Sequence, residues 1–423
     1  MPSRRVLLRG MIRLRQLVQN DQLLLVLLAL AIGALGALGV IGFRETYAQI
    51  QRVALGSAAA HLLPVTRALP WWRILLATTV GGLLIGLFTK YVVPGGRAPG
   101  VPDVMEAAAH KGGRLSLKTT LLGALANALS IGVGGSVGRE GAVIHLGSTF
   151  GSWLGQRLRL PPAMLRTAIG CGVASAVAAS FNAPIAGVFF ALEVVIGNYA
   201  LSTFAPLVVA SVVGTMISRL YYGDFPSFIL PQYQIASPWE FCAYAVLGLI
   251  CAVVSVLFMT AAYAVESRFV RYGVPRWLRP VIGGLLLGLI ALCFPNVLGV
   301  GYGSIDNALF GTLPLGLMMA LVVAKLAATA ICIGSGFGGG DFSASLFMGA
   351  MTGGAFGAVA SEVFPSLPSS HGAYALVGMG AVAGPVHGAP NTTIHKIIEI
   401  TGDKPKKNAL MIAVVISAVN VKE

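Results

Sequence analysis

Charged residues along this chain are separated by long stretches that carry none. Such stretches cover residues 22–43, 74–89, 119–137, 167–192, 194–218, 241–265, 280–305, 326–340, 342–361 and 363–394. A helix needs about 20 mostly apolar residues to cross the hydrocarbon core of a bilayer. Some of these runs are shorter than that or too glycine-rich for a straight span, and others are long enough to fold back. The pattern predicts an all-α polytopic membrane protein with tilted, broken and re-entrant helices, because irregular backbone at membrane depth is tolerated only against protein or a cavity. With 423 residues, 56% hydrophobic and 10% charged, the composition excludes an ordinary soluble domain.

The polar remainder refines this. Five arginines (Arg4, Arg5, Arg9, Arg13 and Arg15) precede the first apolar run, so residues 1–20 read as a basic tail. The positive-inside tendency places that tail in the cytoplasm, with a bacterial inner membrane as the expected location. The formal net charge is +14, but no basic region interleaved with aromatics stands outside the apolar runs, which argues against nucleic acid as a partner. The first apolar run is too long for a cleaved signal segment and reads as a retained helix. Cys171, Cys242, Cys251, Cys293 and Cys332 are scattered through apolar runs without metal spacing and read as buried thiols. His61, His110, His145, His371, His387 and His395 show no ligand spacing either, so no metal or cofactor is expected. His145 reads as a hydrogen-bonded helix residue rather than a proton relay.

One short stretch carries chemistry that the apolar background does not explain. Gly138-Arg139-Glu140-Gly141-Ala142 sets an arginine and a carboxylate between two uncharged runs. Intramembrane charge costs roughly 2.5–3.5 kcal/mol per residue on insertion scales and is kept where it lines a pathway. Glycines let backbone N–H groups approach a ligand, and a helix that starts there adds its positive dipole end. The stretch reads as an anion site containing a titratable carboxylate. The competing reading is an Arg–Glu pair that only ties helices together. Two further glycine-rich breaks, at residues 98–102 and 334–342, are each able to aim a helix start at a common point.

The chain also repeats itself. Gly147, Gly151 and Gly155 follow Gly138 at offsets of 9, 13 and 17, and Gly349, Gly353 and Gly357 follow Gly340 at the same offsets. Ala183-Pro184 is followed by Glu193 nine residues after the proline, and Ala389-Pro390 by Glu399 at the same distance. Duplicated halves with glycine- and proline-interrupted helices characterise transporters, with the site at the repeat interface. The expected division is a first membrane half over residues 21–225 and a second over 226–423, related by an inverted repeat, with the boundary in the loop at 221–234.

These motifs resemble the CLC family of chloride channels and chloride/proton antiporters, over roughly residues 20 to 400. The segment 138–142 is similar to the family's G-R-E-G-P loop, 98–102 to its G-S-G-I-P loop and 340–344 to its G-x-F-x-P loop. Phe181-Asn182-Ala183-Pro184-Ile185-Ala186-Gly187, leading to Glu193, is also family-like. The resemblance implies a homodimer with one anion pathway per subunit, embedded in lipid. It makes Glu140 the gating carboxylate that competes with anion and carries protons, and Arg139 its partner. It implies an anion site at Pro99, Gly100, Arg139, Glu140, Gly141, Asp341 and Phe342, lined by the amides of Glu140, Gly141, Asp341 and Phe342, with Lys118 below the pore.

Departures from the family pattern sharpen the expectations. Pro99 stands where the family usually has a serine hydroxyl; proline there goes with nitrate preference in plant vacuolar members. The inner proton-accepting glutamate of antiporters aligns with Val194, which leaves Glu193 as a structural carboxylate or, with shifted register, the proton acceptor. Asp341 replaces an apolar residue and is expected to cap the following helix rather than face the anion. Ala142 and Ala344 replace prolines. His395 and Lys396 interrupt an expected apolar helix, and the run 409–421 is the last. The chain is thus expected to resemble a bacterial type without CBS regulatory domains and without the final helix that supplies a pore tyrosine. Chloride or nitrate as the anion, and proton antiport or a passive voltage-gated channel as the mechanism, both stay open. An intramembrane enzyme would need a nucleophile–base or metal constellation that the motifs do not supply; a non-transporting member is the remaining reading.

Overall fold

The computed structural model describes residues 21–57, 69–224, 228, 240–363, 371–401 and 407–422. The basic tail, His61 and most of the 221–234 loop lie outside them. Among the described residues the chain is helical: α1 (Asp21–Leu55), α2 (Trp71–Tyr91), α3 (Val101–Ala109), α4 (Leu117–Gly132), α5 (Glu140–Arg157), α6 (Pro162–Phe181), α7 (Pro184–Phe190) running into a π-helical turn (Ala191–Ile196), and α8 (Leu201–Tyr222). There follow α9 (Glu240–Arg271), α10 (Arg279–Cys293), α11 (Tyr302–Leu309), α12 (Leu315–Ser335), α13 (Phe342–Val363), α14 (His371–His387), α15 (Pro390–Thr401) and α16 (Lys407–Lys422). Seven of the described helices are long and apolar enough to cross a membrane. Their outward faces carry large apolar residues such as Leu38, Leu84, Val253, Leu257 and Val323, as a lipid-facing surface requires.

The chain forms two compact units. The first comprises residues 1–42, 101–121 and 143–225; the second comprises 43–100, 122–142 and 226–423. In the first, α6 is the enclosed element, with nearly every residue from Met164 to Phe181 buried. Its small residues admit neighbours at backbone distance. A Cβ at Gly147 would collide with the Gly172 carbonyl, and one at Gly172 with the Gly147 carbonyl; Gly151 meets the Ala168 carbonyl in the same way. The Ser175 hydroxyl donates to the Gly33 carbonyl at 2.7 Å, tying α1 to α6. This is membrane-type packing through small side chains. Helix α6 ends at Asn182 in the left-handed region (φ 56°), which asparagine tolerates. Its amide bonds Asp224 and Arg219. Pro184 then opens α7 at a position that needs no N–H.

The second unit repeats this construction. Helix α14 is buried from Gly372 to Pro385. Gly349 of α13 faces the Gly378 carbonyl, Gly378 faces the Gly349 carbonyl, and Gly353 faces that of Tyr374. Pro390 opens α15 as Pro184 opens α7. The glycine offsets seen in the sequence are therefore the contact points of two like hairpins. Helix α10 is locked to α2 by a third reciprocal set, Gly82 and Gly86 against the Pro280 and Trp277 carbonyls and Gly284 against that of Thr78. Helix α16 joins a core of Tyr244, Leu247, Cys251, Tyr374, Val377 and Ala413 with α9 and α14.

Candidate anion site

The second unit gathers the three glycine-rich breaks, and the glycines at 338–340 are where they meet. Gly338 leaves no room for a Cβ against the Asn127 side chain and the Ala98 methyl, Gly339 none against Val137, and Gly340 lies against Glu140. The Gly338 N–H donates to Ser130 Oγ at 2.9 Å. Gly138 and Gly340 form an isolated antiparallel bridge, N to O at 2.6 Å in one direction and 2.8 Å in the other. Two loops about 200 residues apart are thus clamped by backbone alone, each immediately before a helix start. The bridge consumes the amides of Gly138 and Gly340. The amides left for an anion are those of the first turns of α5 and α13, which have no intrahelical partner.

The Glu140 side chain lies on this bridge and is buried, at 4% exposure. Its Oε2 occupies the space a Cβ of Gly138 would take, so a side chain there would displace the carboxylate. Oε1 accepts a hydrogen bond from the Ser343 hydroxyl. Oε2 is buried without a hydrogen-bond partner. A carboxylate half-satisfied in low dielectric is poised to exchange its position with another anion or to take a proton.

Around this centre stand groups that sequence reasoning did not find. The Tyr302 side chain adjoins Ser343, and Tyr47 adjoins Arg139. The Arg139 guanidinium, itself buried, sits over the Tyr302 ring at 5.5 Å. Phe342 is buried, with His387 edge-on at 4.8 Å and the Lys396 ammonium 3.3 Å from its ring centroid. No linear motif joins Tyr47, Tyr302, Ser343, His387 and Lys396, so only the fold assembles them. Lys396 alone left a trace, as a charge in an expected apolar helix.

The remaining expected site residues divide. Asp341 does adjoin the site, but its carboxylate pairs with His387 Nε2 at 2.9 Å rather than serving as the helix cap expected of it; an imidazole within ion-pairing reach is a stronger partner than a backbone amide. Pro99 is buried with its ring against Gly123, and its carbonyl accepts from the Asn127 amide at 3.4 Å. Gly100 follows it directly into α3, and Gly141 lies in the first turn of α5 against Gly339. Glu193 and Lys118 belong to the first unit. Glu193 sits half-buried in the π-helical turn, a form often found at functional positions, and Lys118 is exposed at the start of α4. His145 is buried on α5. Among the described residues no His, Cys, Asp and Glu cluster has metal-holding geometry.

The family model for voltage gated chloride channels matches residues 81–422. A ClcB-like chloride channel protein of Ralstonia nicotianae is 35% identical over 363 residues, 85% of this chain and 84% of that one. A CLC-type fluoride/proton antiporter of solved structure superposes with a TM-score of 0.78 at 26% identity, over 93% of this chain and 94% of the other. A slow cyanobacterial chloride/proton antiporter superposes at 0.83 with 21% identity, over 94% of each, and so shares the fold.

Proposed function

The chain belongs to the voltage-gated chloride channel family, and we propose that it moves chloride or a related small anion across the membrane through a pathway gated by Glu140, in exchange for protons. The observation that carries this reading is the placement of the Glu140 carboxylate. It is buried on the Gly138–Gly340 bridge at the start of α5, one oxygen held by Ser343 and the other without a partner. Helix N-termini and first-turn amides favour one negative charge there. The carboxylate and a small anion are alternatives for that field. Protonation removes the carboxylate's claim and lets the anion replace it, so proton binding and anion binding are linked.

Within this reading Arg139 fixes the field from its seat on Tyr302, Gly141 and Phe342 supply first-turn amides, and Pro99 with Gly100 forms the other wall. Asp341, neutralised by His387, does not oppose the anion. Glu193 is the inner proton group. The protein works as a homodimer in a bacterial inner membrane with its N-terminus in the cytoplasm. The test is reconstitution into liposomes with paired recording of anion efflux and proton movement, comparing chloride, nitrate and fluoride. A chloride gradient driving protons uphill supports antiport. Chloride flux that dissipates without proton movement supports a passive channel, and no flux of any of the three overturns transport.

A further inference from the structure

The first unit carries a basic cavity that the transport reading does not use. It lies between the α3–α4 loop and the α5–α6 loop and has a volume of about 430 Å³. Lys111, Arg114, Gln156 and Arg159 line it, together with the apolar Leu160 and Leu165. Residues 110–118 and 156–166, the two loops with their flanking turns, hold six Lys or Arg and no Asp or Glu. Glu106 of α3 offsets one of these charges by pairing with Lys111 at 2.9 Å. Arg114 and Arg159 are exposed and have no ion-pair partner among the described residues. The α3–α4 loop is pinned to α5. The Ser152 hydroxyl donates to the Gly113 carbonyl at 2.6 Å and accepts from the Leu115 N–H at 2.9 Å, and the Gln156 amide donates to the Leu115 carbonyl at 3.2 Å. The cations are therefore presented from a fixed backbone.

One of those cations is held at a cost. Helix α5 ends with two N–H groups folded back on its last turn, Arg159 to the Gln156 carbonyl at 3.1 Å and Leu160 to the Gly155 carbonyl at 3.0 Å. This ending sets Arg159 in the left-handed region at φ 55°, a position usually given to glycine. Among the described residues Asn182 is the other non-glycine there, and asparagine tolerates it. Arginine has no such tolerance. A cation gains from a helix C-terminus, but less than the left-handed penalty, and Arg157 in the last turn already supplies that charge. Strain of this kind is retained where a side chain has a task. The cavity also lies at a telling depth. Helix α6 starts at Pro162 and its 20 residues span about 30 Å, the thickness of the hydrocarbon core, so its start sits among lipid headgroups. Trp153, with the Arg157 guanidinium 5.6 Å from its ring centroid, fits the same interface. The positive-inside tendency assigns such a surface to the cytoplasmic leaflet. We propose that the cavity binds the phosphate group of an anionic phospholipid of that leaflet. Arg114 and Arg159 take the phosphate oxygens through their planar donors, and Leu160 and Leu165 meet the apolar part of the lipid. A soluble phosphate shares the headgroup's chemistry but leaves that apolar wall uncovered. The proposal does not rest on the Glu140 gate.

The test is lipid binding to the delipidated full chain in detergent, counted by native mass spectrometry, with a thermal melt of each sample. Phosphatidylglycerol is the anionic probe, phosphatidylcholine the zwitterionic one and inorganic phosphate the soluble one. The proteins are wild type, Arg159→Gly, Arg114→Gln and Arg157→Gln, the last removing a nearby cation that does not line the cavity. Wild type binds phosphatidylglycerol in preference to phosphatidylcholine. Arg159→Gly and Arg114→Gln each weaken that binding by about fivefold or more, the worth of one cation beside an anionic lipid, and Arg157→Gln leaves it unchanged. Without lipid, Arg159→Gly melts higher than wild type because the strain is relieved, so binding and stability move in opposite directions. Unchanged phosphatidylglycerol affinity in Arg159→Gly and Arg114→Gln overturns the proposal. Equal weakening by all three variants also overturns it, in favour of diffuse surface charge. A lower lipid-free midpoint for Arg159→Gly, or its failure to fold, overturns Arg159 as a ligand by assigning it to the helix end, and Arg114→Gln then decides the cavity. Inorganic phosphate that raises the midpoint as much as phosphatidylglycerol overturns the lipid source and assigns the cavity to a soluble phosphate.

Discussion

The α5–α6–α7 and α13–α14–α15 segments are two versions of one design, and they differ where chemistry is done. Both are hairpins held by glycine-to-carbonyl contacts at the same offsets, Gly147 on Gly172 and Gly349 on Gly378. Both turn into a proline-opened helix with a glutamate nine residues on. Yet the first contributes Arg139 and Glu140 at its helix start and the buried apolar Phe190 beyond its proline. The second contributes Asp341, Phe342 and Ser343 at its start and the buried Lys396 beyond its own. Close helix crossing leaves no freedom at the glycines, because any side chain would drive the backbones apart. The positions between them point at a site and are free to diverge. Repetition therefore marks packing, and departure from repetition marks function.

The comparison can be broken most severely at Glu140. Glu140→Gln should abolish proton coupling while anion efflux persists and loses its dependence on external pH; paired flux recording in liposomes checks this, and retained pH dependence would return Glu140 to a structural ion pair. Next in size is the shared scaffold. Gly147→Val and Gly349→Val should each destabilise the protein by about 1–3 kcal/mol or more, to a similar extent, read as a drop in thermal midpoint in detergent. Tolerance of one and not the other would mean that the two hairpins are not equivalent.

Ser343→Ala sharpens the chemical difference. Its hydroxyl donates to the charged form of Glu140, so removing it favours protonation. The rise of flux on acidification should then start at a higher pH, since the hydrogen bond that favours the charged form is gone. A shift to lower pH, or none, would remove Ser343 from the gate. The smallest effect is expected at Pro99, whose ring is seated on Gly123. Pro99→Ser should raise the chloride-to-nitrate flux ratio by about fivefold or less, the worth of one neutral hydrogen bond. An unchanged reversal potential under mixed gradients would place Pro99 off the pathway.

Much of this molecule was legible in the order of its residues. Uncharged runs specify membrane helices because the bilayer penalises charge at every depth of its core. The glycine offsets specify two like hairpins because only glycine allows backbones to touch. Glu140 was visible because a carboxylate inside such a run needs a reason. What the sequence could not determine is which distant groups surround that carboxylate. Ser343, Tyr302 and Lys396 lie 203, 162 and 256 positions from Glu140, in segments whose local patterns say helix or loop and nothing more. The expected cap at Asp341 was a local inference, and a partner at His387, which no local rule could supply, displaced it. Local patterns are set by solvent and backbone sterics, which act residue by residue. The environment of a charge is set by which helices cross, and only the tertiary packing of α11, α13, α14 and α15 decides that.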